Sequence, residues 1–485
     1  MARCPLQLSK VEESFRKHTC RFQNNNNGEE QNMLLGATGS RLLSGNTALA
    51  REIEERLAKI HNRSAALLCN SGYDANLCVM SSIPCDGDVI VMDSLAHNSL
   101  IMGARMSRVN YNKGGIEFFK HNDVTDLENI LSRVLKRLKG RSKNASADDL
   151  ESPQTGQIII AVESVYSMDG DVAKLQPILD VALKYEASVV VDEAHALGVY
   201  GRTNFINLIV PDDQSRMPIY LRKDSDSISN HLPKNGGNTE CSHDKRGGTG
   251  VLAALELESH PALLASIYTF GKAAGCHGAV IAASKTVVEY LVNYARPFIY
   301  STALPPHSLV SIQCSYDTMI SFNEGERRRI KLFELVRLFR ITFLKELERE
   351  TQNVYNHDDN KDRFVLETRK DKYKLSKLNE WSQLLLPSPS PIQAVLCPGN
   401  KKCIKMARDL NNLGTFNVYP IRSPTVPKGS ERIRIILHTH NNEDQIHALI
   451  ALMMRLIKDL NPSTLAHPSL ASRRNDDAYM PASKL

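Results

Sequence analysis

The pattern of apolar and polar positions divides this chain into alternating helices and strands. Between Ala48 and Ile60 apolar residues recur at helical spacing with charges between them, which predicts a helix. Short unbroken apolar runs follow at Ala65–Cys69, Val89–Asp93, Ile158–Glu163, 188–192 and Ala279–Ala283. Runs this short fit strands covered on both faces. The turn Ser71-Gly72-Tyr73 leads into a helical stretch at 75–81. Such alternation predicts an α/β domain with a mostly parallel sheet.

The pattern changes further along. A long amphipathic helix is predicted near 326–350, a strand at 433–437 and a helix at 442–458, which together read as a smaller C-terminal α+β domain. The expected plan is an N-terminal arm over 1–47, partly disordered, a large domain over 48–305, a small domain over 306–460 and a flexible tail over 461–485. Polar or charged stretches at 137–156, 203–247 and 351–375 read as surface insertions.

Composition narrows the class. A chain of 485 residues has room for two or three domains. The net charge of +6 is mild, and no dense Lys/Arg block carries interleaved aromatics, so no nucleic-acid partner is expected. No apolar run is long enough to span a membrane, and none is expected as a partner. The 10 cysteines are scattered without a C-x-x-C pair, so no metal site is expected. They read as reduced thiols. Ser483-Lys484-Leu485 matches the peroxisomal address read by a soluble import receptor, with the cytosol as the alternative location.

The chemistry gathers around one lysine. Lys272 follows the apolar run Tyr268-Thr269-Phe270 and a glycine, where a strand ends in a tight turn. That is where α/β folds keep their chemistry. Most lysines are solvated surface charges, so its meaning depends on its company. A Schiff-base lysine needs a cofactor site with a carboxylate, a phosphate cradle and a flat cover for the ring. Asp192, at the end of the 188–192 run, is the candidate carboxylate, although a strand-end Asp often only caps a turn. Gly72 is the candidate cradle, since a glycine at a strand-to-helix turn lets backbone approach an anion. His97, after the Val89–Asp93 run, is the candidate cover, although a lone histidine there is more often structural. Asp192-Glu193-Ala194-His195 also resembles a helicase metal motif. That reading needs a G-x-x-x-x-G-K-[ST] loop, and Lys272 is followed by Ala273, which has no hydroxyl.

Nine ordered segments between Leu34 and Met454 carry a resemblance. Among them are GATGSRLLSGN, NSGYDANLCV, DSLAHNSLIMGA, ESVYSMDGDVAKL, VDEAHALGVYG, TFGKAAGCHGA, YSTALPP and RSPTVPKGSERIRI. The chain resembles the α-oxoamine synthases, which are fold-type I transferases that depend on pyridoxal 5'-phosphate. Residues 1–33 do not match the family's N-terminal segment. The segments TFGKAAGCHGA, ARPFIYSTALPP and PTVPKGSERIRI resemble the branch that condenses L-alanine with pimeloyl-CoA. Another amino acid or acyl-CoA is the alternative, as is an inactive relative serving as a partner subunit. The resemblance implies that Lys272 anchors the cofactor and moves a proton, and that Asp192 meets the pyridine nitrogen. It implies that His97 stacks on the ring and that Gly72 and Tyr73 offer backbone N–H groups. Ser167, His195 and Thr269 would bind the cofactor's polar atoms. Ser301 and Thr302 would reach its phosphate across a homodimer interface. Arg434 would clamp the amino-acid carboxylate, with Thr425 on the substrate side.

Overall fold

The computed structural model describes residues 36–110, 114–143, 156–201, 247–321, 324–356, 384–414 and 416–459. The tail with Ser483-Lys484-Leu485, residues 1–35 and most of the predicted insertions lie outside them. The described residues divide into two units. The first holds 36–166, 172–201 and 247–329, and the second holds 167–171 and the residues from Ile330 onward.

The first unit is built on a seven-stranded sheet. Its strands are β1 (Ala65–Cys69), β2 (Val89–Asp93), β3 (Ile116–Phe119), β4 (Ile158–Glu163), β5 (Ala187–Asp192), β6 (Leu263–Thr269) and β7 (Ala279–Ala283). They lie in the order β1-β7-β6-β5-β4-β2-β3. The pairs from β6 to β3 are parallel, while β7 runs antiparallel to both β6 and β1. The expected mostly parallel α/β sheet is therefore present with one reversed strand.

Alternate residues of these strands face two separate cores. Leu67, Ile90, Met92, Ile159, Ala161, Val190, Ile267 and Ile281 pack on one face. There they meet α2 (Gly72–Ser82), α3 (Asn98–Met106) and α7 (Lys285–Tyr294). Ala66, Leu68, Tyr268, Val280 and Ala282 pack on the other, against α1 (Ala48–Ile60) and α9 (Pro306–Met319). Both faces of the central strands are covered, so their bodies are mostly apolar and read as nearly unbroken runs. Thr47 starts α1 by accepting the Ala50 N–H at 3.2 Å.

Three boundaries differ from the sequence reading. Leu309, Val310, Ile312 and Tyr316 of α9 bury in the core shared with α1, so the first unit runs past 305 to Arg329. Residues 36–47, read as arm, pack into the first unit. Ala303 N–H donates to Gly39 O at 2.9 Å, and Arg41 pairs with Glu54 at 2.7 Å. The insertion read at 137–156 begins later. The helix α4 (Val124–Lys143) continues through 137–143, because Leu131, Val134 and Leu138 bury one stripe while Arg133, Lys136 and Lys139 are exposed.

The second unit pairs β8 (Ile392–Leu396), β10 (Arg432–Ile436) and β9 (Tyr419–Ile421) antiparallel, in the order β8-β10-β9. The helices α11 (Asn400–Gly414) and α12 (Glu443–Asp459) bury Cys403, Met406, Leu410, Ile446, Ile450 and Met453. The helix α10 (Glu324–Asn356) begins in the first unit and continues here, burying Val336, Phe339 and Phe343. Its buried Arg340 donates to Leu386 O at 3.0 Å and Gln393 Oε1 at 2.7 Å. Ser388 Oγ donates to Gly170 O at 2.9 Å, and Arg432 pairs with Asp169, which ties residues 167–171 into this unit.

Candidate active site

Glu163, Asp192 and Thr269 end β4, β5 and β6, on the face covered by α2 and α3. In a parallel sheet the strand ends are the natural place for polar groups, because the turns that follow are free to carry chemistry. Asp192 ends β5 and is only 5% exposed. Its Oδ2 accepts Asn76 Nδ2 of α2 at 2.7 Å and its Oδ1 accepts the Ala194 N–H at 2.9 Å. Burial nevertheless raises its pKa, and these donors with the His97 and Lys272 charges only partly offset that. A cationic ring nitrogen against this carboxylate would relieve the cost of burying it.

Lys272 lies in the turn between β6 and β7. Phe270 N–H donates to Gly278 O at 2.9 Å and Cys276 N–H to Phe270 O at 3.0 Å, which closes that turn. The half-buried Lys272 side chain acts electrostatically on both Asp192 and His97. Lys272, Asp192 and His97 therefore lie close enough to act on one another. His97 caps the N-terminus of α3, its Nδ1 accepting the Ser99 N–H at 3.2 Å. Its pKa is lowered, first by the surrounding protein and then by Lys272, against the pull of Asp192.

Gly72 opens α2 directly beside Thr269, the last residue of β6. A Cβ at Gly72 would stand 2.9 Å from both Cβ and Oγ1 of Thr269. Only bare backbone fits there, which leaves a helix N-terminus and a hydroxyl side by side, as a phosphate needs. Ser71 caps this helix, accepting the Asp74 N–H at 3.0 Å, and Tyr73 is exposed. His195 is half-buried in the turn after Asp192.

Ser301 and Thr302 line a cleft with Arg41, Asn70, Asp74 and Phe298, and Lys272 is not part of its wall. Asn70 Nδ2 donates to Thr302 O there at 2.8 Å. Ser167, Thr425 and Arg434 belong to the second unit: Ser167 is buried, Thr425 exposed and Arg434 half-buried on β10.

Sequence reasoning missed three buried groups at the strand ends. Asn76 and Ser99 are 2% and 1% exposed and bond to each other at 2.8 Å. Glu163, the register partner of Asp192, is 2% exposed, and burial followed by the Asp192 charge drives its pKa well up. The available signal was a polar residue inside an apolar run: Asn76 among Ala75, Cys78 and Val79, and Glu163 after Ile158-Ile159-Ile160-Ala161-Val162.

The family model described as aminotransferase class I and II matches residues 18–451, reaching upstream of Leu34, where the recognised segments begin. An 8-amino-7-oxononanoate synthase of Emericella nidulans is 32% identical over 418 residues, covering 85% of this chain and 78% of that one. Among solved structures, a serine palmitoyltransferase from S. paucimobilis with a bound PLP–myriocin aldimine superposes with a TM-score of 0.62 at 21% identity, covering 94% of this chain and 84% of that one. An 8-amino-7-oxononanoate synthase from Francisella tularensis gives 0.57 at 19% identity, covering 95% and 98%. These two share the fold-type I architecture. The chain belongs to the aminotransferase class I and II family and, within it, to the pyridoxal-phosphate-dependent acyltransferases of the 8-amino-7-oxononanoate synthase group.

Proposed function

We propose that this chain condenses L-alanine with pimeloyl-CoA to give 8-amino-7-oxononanoate, coenzyme A and carbon dioxide. The observation that carries the reading is the buried Asp192 at the end of β5, bonded through Asn76 and Ser99 to His97 and within electrostatic reach of Lys272. When bound, pyridoxal phosphate supplies an electron sink for the charge released at the amino-acid Cα. Asp192 holds a negative charge opposite the pyridine nitrogen, and His97 covers the ring. Gly72 and Tyr73 N–H groups and the Thr269 hydroxyl take the phosphate, while Ser167 and His195 meet other polar atoms. Lys272 Nζ anchors the cofactor and then carries the proton taken from Cα, a role suited to a half-buried amine with restricted solvent. Arg434 takes the amino-acid carboxylate as a two-pronged donor, with Thr425 beside the substrate. His195 holds the oxyanion that forms at the thioester carbonyl. In this reading Ser301 and Thr302 serve the phosphate of a second copy, which makes the working unit a homodimer.

The test is thiol release by the purified holoprotein. L-Alanine with pimeloyl-CoA should release coenzyme A, and Lys272→Ala should stop it. Release with glycine and acetyl- or succinyl-CoA instead would assign a different amino acid and acyl donor to the same site. A protein that binds the cofactor but releases thiol with no pair would be an inactive relative.

A further inference from the structure

A continuous hydrogen-bonded chain joins Asp192 to His97 through Asn76 and Ser99, and chemistry fixes the direction of its Asn76 end. Asn76 Nδ2 carries two hydrogens. One goes to Asp192 Oδ2 at 2.7 Å and the other to Ser99 Oγ at 2.8 Å. Turning the amide over would set its carbonyl against the Asp192 carboxylate, so the nitrogen must face it. Ser99 Oγ receives a hydrogen from Asn76, and with Nδ1 acting as an acceptor its own hydrogen goes to His97 Nδ1 at 2.7 Å. The Ser99 backbone N–H points at the same Nδ1 at 3.2 Å. A ring nitrogen met by two donors has no room for a proton of its own. The Asn76 Oδ1, buried without a hydrogen-bond partner, is what this arrangement leaves unsatisfied.

We propose that Asn76 and Ser99 are positioning residues that hold His97 as the neutral imidazole with its proton on Nε2, so that Asp192 keeps its charge for the cofactor's ring nitrogen. This rests on the reading of His97 as the cover over that ring. A second cation beside Asp192 would compete with the ring nitrogen for the same carboxylate. The charged or titratable groups acting on His97 are Asp192 from β5, Lys272 from the turn after β6, and Glu163 from β4, whose carboxyl meets the His97 backbone N–H. The depressed basicity of His97 agrees with the direction of the chain.

The experiment is a pH titration of the visible absorbance and circular dichroism of the holoprotein. The wild type should show no ionisation in the ordinary histidine range, near about 6.5. Ser99→Thr keeps the hydroxyl and should behave as wild type. Asn76→Leu lets Ser99 Oγ turn and accept from Nδ1–H, and Ser99→Ala removes a donor. Both should reveal a new ionisation in that range, and Asn76→Leu should weaken cofactor binding roughly tenfold or more. The new ionisation should vanish in the Asn76→Leu, His97→Phe double variant. Its absence from both single variants would overturn the proposal. So would its survival in the double variant, which would assign it to Asp192. His97→Phe alone separates the two readings: a dichroism unlike the wild type supports the cover, and an unchanged one overturns the cover and with it the proposal.

Discussion

The bodies and the ends of β4 and β5 obey opposite rules, although they are one residue apart. In the bodies, Ile160, Ala161, Val162, Val189, Val190 and Val191 have no exposed surface. Each gains from leaving water, at roughly 25 cal/mol per Å² of apolar surface. At the ends, Glu163, Asp192 and Glu193 are buried too, and burial raises the pKa of all three. Compensation there is uneven. Glu193 accepts Val251 N–H at 2.9 Å, Leu252 N–H at 2.7 Å and Ser164 Oγ at 2.8 Å. Asp192 accepts two donors, and Glu163 Oε1 has no hydrogen-bond partner. A sheet selected only for stability would continue the apolar run. Carboxyls kept where they cost stability, one of them, Asp192, within reach of the Lys272 charge, make the ends the candidate working part of the sheet.

Substitutions that separate function from stability test that contrast. The largest effect belongs to Lys272→Ala, which should lower thiol release roughly a thousandfold or more. Lys272 is half-buried in a turn, so unfolding of the cofactor-free protein should move by no more than about 1 kcal/mol. Ile160→Ala should do the reverse, costing about 2–5 kcal/mol of stability while the holoprotein keeps its visible band. Chemical denaturation of both variants without cofactor is the measurement, and equal losses would erase the distinction. Asp192→Asn should weaken cofactor binding about 10- to 100-fold. It should destabilise the cofactor-free protein less than Ile160→Ala does.

How far this was legible in the sequence follows the same line. The strand bodies could be read because both faces are dry, and the run 158–162 contains nothing but apolar residues. The edge strand β3 went unread, because Ile116-Glu117-Phe118-Phe119 is short and its first three residues are half-exposed. β9 also went unread, with three residues, one of them Pro420. At the ends, Lys272, Asp192 and His97 were legible by type and position. Asn76 was not, because its partner Asp192 lies 116 residues away and only the packing of α2 on the sheet joins them. Glu193 read as one letter of a rival motif, and its partners Val251 and Leu252 lie beyond the long insertion.

Glu193 gives a smaller effect that pH makes visible. Burial pushes its pKa up to about 7, against the pull of its donors. The folded protein therefore holds that proton more tightly than the unfolded chain does. Its contribution to stability is full below the ordinary glutamate range, falls as pH rises through the window up to about 7, and is constant above it. Relative to Glu193→Gln, the wild type should lose up to about 3 kcal/mol between acid and mildly alkaline pH. Parallel curves for the two proteins across that window would mean that Glu193 is ionised throughout, and that its three donors outweigh its burial.

The smallest effect concerns the insertion after this carboxylate. Its two stems are already joined. Gly198 N–H donates to Gly248 O at 2.8 Å, and Gly250 N–H donates to Tyr200 O at 2.8 Å. A Cβ on Gly201 would stand 2.3 Å from the Gly248 nitrogen, so the chain leaves and returns at one point. Gly250 has φ +117°, and a Cβ there would come within 2.8 Å of the Glu193 carboxyl, so the return depends on glycine. Replacing residues 202–246 with a short glycine linker from Gly201 to Gly247 spans no distance the fold does not already close. If that stretch adds only chain length, shortening it removes closure entropy of about 0.6 kcal/mol per halving, a gain of no more than about 2 kcal/mol. Denaturation midpoints of the two proteins decide this, with thiol release unchanged. A loss of stability would mean the stretch contributes contacts of its own. The working strand ends would then depend on more of the chain than the two stems that anchor Glu193.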